Sequence, residues 1–229
     1  LVGIGMGNTK LFTGEAREAI GQAKAVCGAK RLLAAADTLI APDAEKREAY
    51  LPADLLPYIY SCRERKIGRI AILFSGDTGF YSAAEKLGAV LERRGNYTVE
   101  VIPGISSVGY FFAKIRRPWD HAKLFSMHGQ AANFASELKR SGSAFVLGGG
   151  ADFYEKICGQ LIDLGMQETK LFAGENLTLE DEQIFTSTPE EIKGRKAPSL
   201  AVLYAEWTGP RRPLSHGIAD EAFTRGKVP

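Results

Sequence analysis

The chain has 229 residues, of which 45% are hydrophobic and 24% charged, a composition that supports a packed core and argues against disorder. Its net charge of +2 is too small for a surface built to coat nucleic acid. No apolar run reaches the ~18 residues of a membrane span. Cys27, Cys62 and Cys158 lie far apart with no C-x-x-C pair, which argues against a disulfide framework or a zinc site. They read as idle thiols in a reducing cytoplasm, and no metal, membrane or nucleic-acid partner is expected.

Residues 2–4 form a short apolar strand running into glycines, with no signal peptide before it. The chain thus opens inside a strand, and an initiator Met and further residues are expected to precede it. Residues 15–27 read as a helix carrying Ala16, Ala19, Ile20, Ala23 and Val26 on one face. A strand is predicted at 38–41, stopped by Pro42, and a strongly buried one at 69–74. A helix at 80–94, a strand at 98–102 and a helix at 106–115 follow. This alternation predicts a mostly parallel α/β sheet. After Arg116-Arg117-Pro118 the pattern restarts: a strand at 123–126, a helix at 133–140, a strand at 144–147 and a helix at 153–164. Strands at 170–173, 183–187 and 200–205 alternate less regularly and predict a mixed sheet. The expected organisation is an N-terminal α/β domain at 1–115, a C-terminal α/β domain at 116–208 and a tail or linker at 209–229.

Three loops follow strands. The first is Gly3-Ile4-Gly5-Met6-Gly7-Asn8. A dinucleotide fold needs G-x-G-x-x-G opening directly into a helix. Here the spacing is G-x-G-x-G, the helix starts only near Thr13 or Gly14, and Asp37 precedes the next predicted strand instead of ending it. A nicotinamide or flavin site is therefore disfavoured, and on this loop alone a plain tight turn competes evenly with a binding role. The second loop, residues 75–82, follows the strongest strand and places Asp77 where ligands of open α/β sheets gather. Asp77 is either a ligand group, the cap of a helix starting near Phe80, or both. The third is Pro103-Gly104-Ile105-Ser106-Ser107, where a serine can also cap the next helix. In a parallel sheet all three loops converge on one edge.

In this order the three loops resemble the tetrapyrrole methylase family, which carries a G-x-G-x-G loop leading to L-T, a G-D-P loop before an aromatic residue, and P-G-x-[ST]-S. Two departures are Thr78 in place of the common proline and Phe12 inserted between Leu11 and Thr13. Neither removes a backbone donor. The resemblance runs from Leu1 to about Trp207. The segments SGDTGFYSAAEKL, IPGISSVGYFFAKIRRPWDHAKLFSMHG and GENLTLEDEQIF are similar to the branch that methylates carbon 5 of precorrin-7 or cobalt-precorrin-7. The resemblance implies two α/β domains with S-adenosylmethionine in the cleft between them, unlike the Rossmann-type methyltransferases, and commonly a homodimer. It implies cofactor contacts from Gly5, Met6, Gly7, Gly76, Asp77, Thr78, Gly79, Ile105, Ser106 and Ser107, with Leu147, Ser199 and Leu200 as weaker candidates.

A tetrapyrrole substrate carries many carboxylates on a flat apolar ring. Lys114, Arg116, Arg117, His121 and Lys123 cluster in sequence with Trp119, and arginine suits bidentate carboxylate binding. For any one of them a solvated basic segment is the plainer reading. His128 is the acid/base candidate because an imidazole titrates near neutrality, with Glu175 and Asn176 as a second choice. Methylation at another ring position, or a nucleotide-binding regulatory module on the same loops, remain as alternatives. The GIADEAF segment in the tail resembles the start of the carbon-15 methyltransferase that also removes a carboxyl group, so a fused second enzyme is expected beyond it.

Overall fold

A computed structural model of the chain describes residues 1–127 and 133–210. They divide into two compact units. The first comprises Leu1–Trp119, Gly174–Phe185 and Leu200–Val202, and the second takes the remainder. Chain order and unit membership therefore diverge, since two later segments belong with the N-terminal part.

In the first unit the order is β1 (Val2–Gly3), α1 (Gly14–Gly21), β2 (Ala25–Gly28), α2 (Lys30–Ala36), β3 (Glu45–Glu48), α3 (Pro52–Glu64), β4 (Ile70–Phe74), α4 (Ala84–Arg93) and α5 (Ser107–Ile115). The four strands form one parallel sheet in the order β1-β4-β2-β3. One apolar cluster joins Val2, Ile4, Ala16, Ile20, Val26, Leu32, Leu73 and Ile102. A second joins Cys27, Leu55, Ile59, Ile72, Leu87 and Leu91. Together they place helices over both faces of the sheet, as a parallel sheet requires.

Several expected elements change here. The helix predicted at 15–27 is two elements, α1 and then β2. All four β2 residues are buried, and a short continuous apolar run has no period with which to tell strand from helix. The strand predicted at 38–41 is instead a 3-10 turn at Asp37–Leu39 that tucks Ile40 into the core. The strand that does form there is β3, a fully exposed Glu-Lys-Arg-Glu edge whose charges hide it from an apolar pattern while guarding the open sheet edge. The 98–102 strand reduces to one parallel bridge, Ile102 with Val2. α3 was masked by Pro57 within it; Pro52 opens its first turn, where proline is well tolerated. The helix predicted from Phe80 starts at Ala84, with the Ser82 hydroxyl accepting from Ala84 N at 3.2 Å.

The remaining elements are β5 (Lys123–Ser126), α6 (Phe134–Ser141), β6 (Ser143–Leu147), α7 (Phe153–Asp163), β7 (Lys170–Glu175), β8 (Gln183–Ser187), α8 (Pro189–Ile192) and β9 (Ala201–Glu206). They build a mixed five-stranded sheet in the order β5-β6-β9-β7-β8, with β5 and β6 parallel. The apolar faces of α6 (Phe134, Leu138) and α7 (Phe153, Tyr154, Ile157, Leu161) are buried. No described helix is long and apolar enough to cross a membrane.

Candidate cofactor-binding loops

The first and second loops are stitched by backbone pairs. Gly5 N donates to Gly76 O at 3.1 Å and Gly76 N to Gly5 O at 2.7 Å, an antiparallel bridge at the end of two parallel strands. Ile4 N reaches Phe74 O at 3.0 Å, and Gly3 N reaches Ile102 O at 2.9 Å, one residue before the third loop.

Glycine is required where these backbones cross. A β-carbon on Gly104 would lie 2.3 Å from Gly76 O and 2.6 Å from Gly3 C, and one on Gly3 would lie 2.6 Å from Gly104 N. Gly76 differs: it needs a left-handed φ of 71°, yet a β-carbon there would meet nothing within 4 Å. Its outer face is open, whereas a β-carbon on Gly7 would meet Leu179 Cδ2 at 3.9 Å.

Asp77 fastens this junction. Its Oδ1 accepts from Gly79 N at 2.8 Å and its Oδ2 accepts from Gly104 N at 3.2 Å. Since α4 starts seven residues later, Asp77 does not cap it. The carboxylate ties the second loop to itself and to the third, and each oxygen keeps capacity for another donor. Thr78 is buried, its hydroxyl 3.5 Å from Ile102 O. Ser106 accepts from Val108 N at 3.2 Å and so caps α5, whose first residue is Ser107. Gly5, Met6, Gly7, Gly76, Asp77, Thr78, Gly79, Ile105, Ser106 and Ser107 thus share the first unit.

Other predicted residues fall elsewhere. Leu200 belongs to the first unit, its carbonyl accepting from Asn176 N at 2.9 Å. Leu147, at the end of β6, and Ser199 belong to the second. Arg116 and Arg117 are exposed at the end of α5. His121 is exposed beside Asp120, 3.3 Å away, and Lys123 and Trp119 are also exposed. Lys114 is committed within the protein: its Nζ sits 3.6 Å from Glu182 Oε1 and 5.1 Å from the Tyr110 ring centroid. The Tyr110 hydroxyl, then the charge of Glu182, raise its pKa. Glu175 is buried at 5% exposure. His128, the acid/base candidate, lies outside the described residues.

Sequence reading passed over Glu182 and Tyr110. Glu182 Oε2 accepts from the Tyr110 hydroxyl and from Thr178 N, both at 2.7 Å. Burial pushes the Glu182 carboxyl up, but Thr178 N–H, the Tyr110 hydroxyl and Lys114 outweigh it and hold the group below the usual carboxylate range. The signal available in the sequence was the third acid of a Glu180-Asp181-Glu182 run between two strands, which pattern alone does not separate from a solvated one.

Among solved structures, the chain is similar to the methyltransferase CobJ, with a TM-score of 0.75 and 16% identity over 93% of this chain and 95% of that one. It is similar to the uroporphyrin-III C-methyl transferase of Thermus thermophilus complexed with S-adenyl homocysteine, with a TM-score of 0.69 and 22% identity over 90% of this chain and 95% of that one. A cobalt-precorrin-7 C(5)-methyltransferase of Salmonella typhimurium is 32% identical over 184 residues, 80% of this chain and 87% of that protein. A probable cobalt-precorrin-7 C(5)-methyltransferase of Methanocaldococcus jannaschii is 30% identical over 216 residues, 90% of this chain and 96% of that protein. The model of the tetrapyrrole (corrin/porphyrin) methylases matches residues 1–193, and with that match, over loops whose glycines and aspartate are welded as described, the chain belongs to the tetrapyrrole methylase family.

Proposed function

We propose that this chain transfers a methyl group from S-adenosylmethionine to carbon 5 of a precorrin-7-type macrocycle in cobalamin synthesis. The observation that carries the reading is the welded three-loop junction, in a chain 30–32% identical to carbon-5 methyltransferases over most of its length. The junction fits an adenosyl cofactor: it offers backbone with an open face at Gly76 and a single carboxylate with spare acceptor capacity.

Bound S-adenosylmethionine supplies a methyl on a sulfonium, a good electrophile that needs no metal. The chain's part is to bind and orient, so most of the rate should come from alignment. Residues 5–7, 76–79 and 105–107 hold the cofactor, and Leu147, Ser199 and Leu200 complete the proposed set. Arg116, Arg117 and His121 face solvent and are proposed to take substrate carboxylates, with Lys114 contributing a charge partly balanced by Glu182. His128 remains the proposed proton acceptor. Homodimerisation, a cytoplasmic setting suited to three unpaired buried cysteines, and partnership with a carbon-15 methyltransferase belong to the same reading.

Calorimetry with S-adenosylhomocysteine, NAD and ATP tests the cofactor. Binding of the first alone is expected, and binding of NAD or ATP instead would favour a nucleotide-binding module. Turnover of precorrin-7 with and without cobalt then tests the substrate; methylation at any position other than carbon 5 overturns the finer assignment.

A further inference from the structure

The loop between β7 and β8 is built at some conformational expense. Asn176 has φ of 49° and Thr178 φ of 71°, left-handed values that a β-branched residue adopts rarely. The Thr178 hydroxyl is buried, with no hydrogen-bond partner among the described residues. Strain and an unmet polar group together mark a conformation retained for a purpose beyond connecting two strands.

What holds the loop is visible. Leu179 N donates to Asn176 O at 3.0 Å and Glu182 N to Leu179 O at 3.1 Å. The Asn176 side-chain amide donates to Asp181 at 2.6 Å. Glu182 then binds the turn from inside through Thr178 N, and binds α5 through the Tyr110 hydroxyl with the same oxygen. Tyr110 lies one turn into α5, its N–H donating to Ser106 O at 3.1 Å, so it is anchored to the third loop. Leu179 Cδ2 lies 3.9 Å from where a β-carbon on Gly7 would stand, and Leu179 is 39% exposed.

We propose that Glu182, fastened by Tyr110 and by the backbone of Thr178, is a positioning residue for the cofactor. It seats Leu179 against the 5–7 loop and so holds that loop at a fixed spacing from the 105–107 loop. One carboxylate thereby connects two of the three cofactor loops from behind, as Asp77 connects the second and third directly. The strained turn persists because two donors and Lys114 over-determine the carboxylate that braces it. This inference rests on the cofactor reading above.

The test is calorimetric titration of S-adenosylhomocysteine into the wild-type chain and four variants, with melting temperatures recorded in parallel. Tyr110→Phe keeps the ring and removes one hydroxyl; affinity is expected to fall about threefold to tenfold. Glu182→Ala frees the turn and is expected to cost at least as much. Glu182→Gln keeps an acceptor oxygen for both donors and is expected to recover most of that loss. Leu55→Ala, at a buried position of α3 in the second apolar cluster, lowers stability without altering a loop residue and should leave affinity unchanged. Variants at Tyr110 and Glu182 that bind like wild type, a Glu182→Gln no better than Glu182→Ala, or losses that Leu55→Ala reproduces at equal melting temperature would overturn the positioning role alone. A wild-type chain that does not bind S-adenosylhomocysteine overturns the cofactor reading and this inference with it.

Discussion

The three strand-end loops and the basic segment after α5 belong to one unit and follow opposite designs. The loops are made of backbone: Gly3 and Gly104 where chains cross, one aspartate that accepts from two main-chain N–H groups, and hydroxyls of Ser106 and Ser82 that accept from main-chain N–H groups at the starts of α5 and α4. The segment from Arg116 to Trp119 is made of exposed side chains on an exposed backbone. The difference teaches where tolerance lies. In the proposed function, the cofactor would meet a surface fixed in advance, whose residues are short and interlocked. A fringe of substrate carboxylates would meet long exposed cations on this segment.

The sharpest way to break that comparison is at Gly104. Alanine there brings a β-carbon within 2.3 Å of Gly76 O and 2.6 Å of Gly3 C, and all the atoms in conflict are backbone. The loops must separate, at a cost of about 3 kcal/mol or more. Alanine at Gly76 meets open space and pays only for its left-handed φ, about 1 kcal/mol. Denaturant midpoints measure both. Equal losses at the two positions would mean the junction yields easily and is not fixed in advance.

The junction was legible in part. Glycine spacing, Asp77 and the P-G-I-S-S run stand out because backbone crossings admit few residue types, and those types leave marks in any sequence. What Asp77 bonds to was not legible: Gly104 is 27 residues away, and the alternative of a cap for a helix at Phe80 was equally consistent with local rules. The same limit hid Glu182, whose partner Tyr110 is 72 residues away. In the fold, long amphipathic elements such as α7 and the buried β4 were plain. β2 was absorbed into a neighbouring helix because four apolar residues carry no period, and β3 vanished because an edge strand is charged by necessity.

At intermediate magnitude the comparison is tested by pairing Asp77→Ala with Arg117→Ala. Asp77→Ala leaves Gly79 N and Gly104 N without their acceptor, and it removes the one charge of the junction. Affinity for S-adenosylhomocysteine should fall about tenfold to a hundredfold, in line with roughly 1.5–3 kcal/mol for a charged hydrogen bond, and the melting temperature should fall with it. Arg117→Ala should raise the KM for the macrocycle several-fold and leave cofactor affinity and melting temperature unchanged. The crossed pattern is the point: an Arg117 variant impaired only in cofactor binding would place the basic segment in the wrong half of the comparison.

The smallest expected effect separates stability from binding within one residue. α5 ends with Arg116 in a left-handed conformation, φ 55° and ψ 50°. Arg117 N donates to Phe112 O at 3.1 Å and Arg116 N to Ala113 O at 3.3 Å. This pair of bonds is the Schellman arrangement, and its left-handed position strongly favours glycine. Arginine is held there against its own backbone preference, on a surface where its side chain gains nothing from burial. Arg116→Gly should therefore relieve the strained position and stabilise the protein by about 0.5–1 kcal/mol, after allowing for glycine's greater freedom in the unfolded chain. For a chain of this length that is a rise of about 1–4 °C in melting temperature. The same change removes a guanidinium proposed to receive a substrate carboxylate, so KM for the macrocycle should rise while cofactor affinity holds. A stabler protein with unchanged KM would show that Arg116 only ends the helix. A less stable one would show that the arginine side chain contributes to the cap more than its left-handed backbone costs.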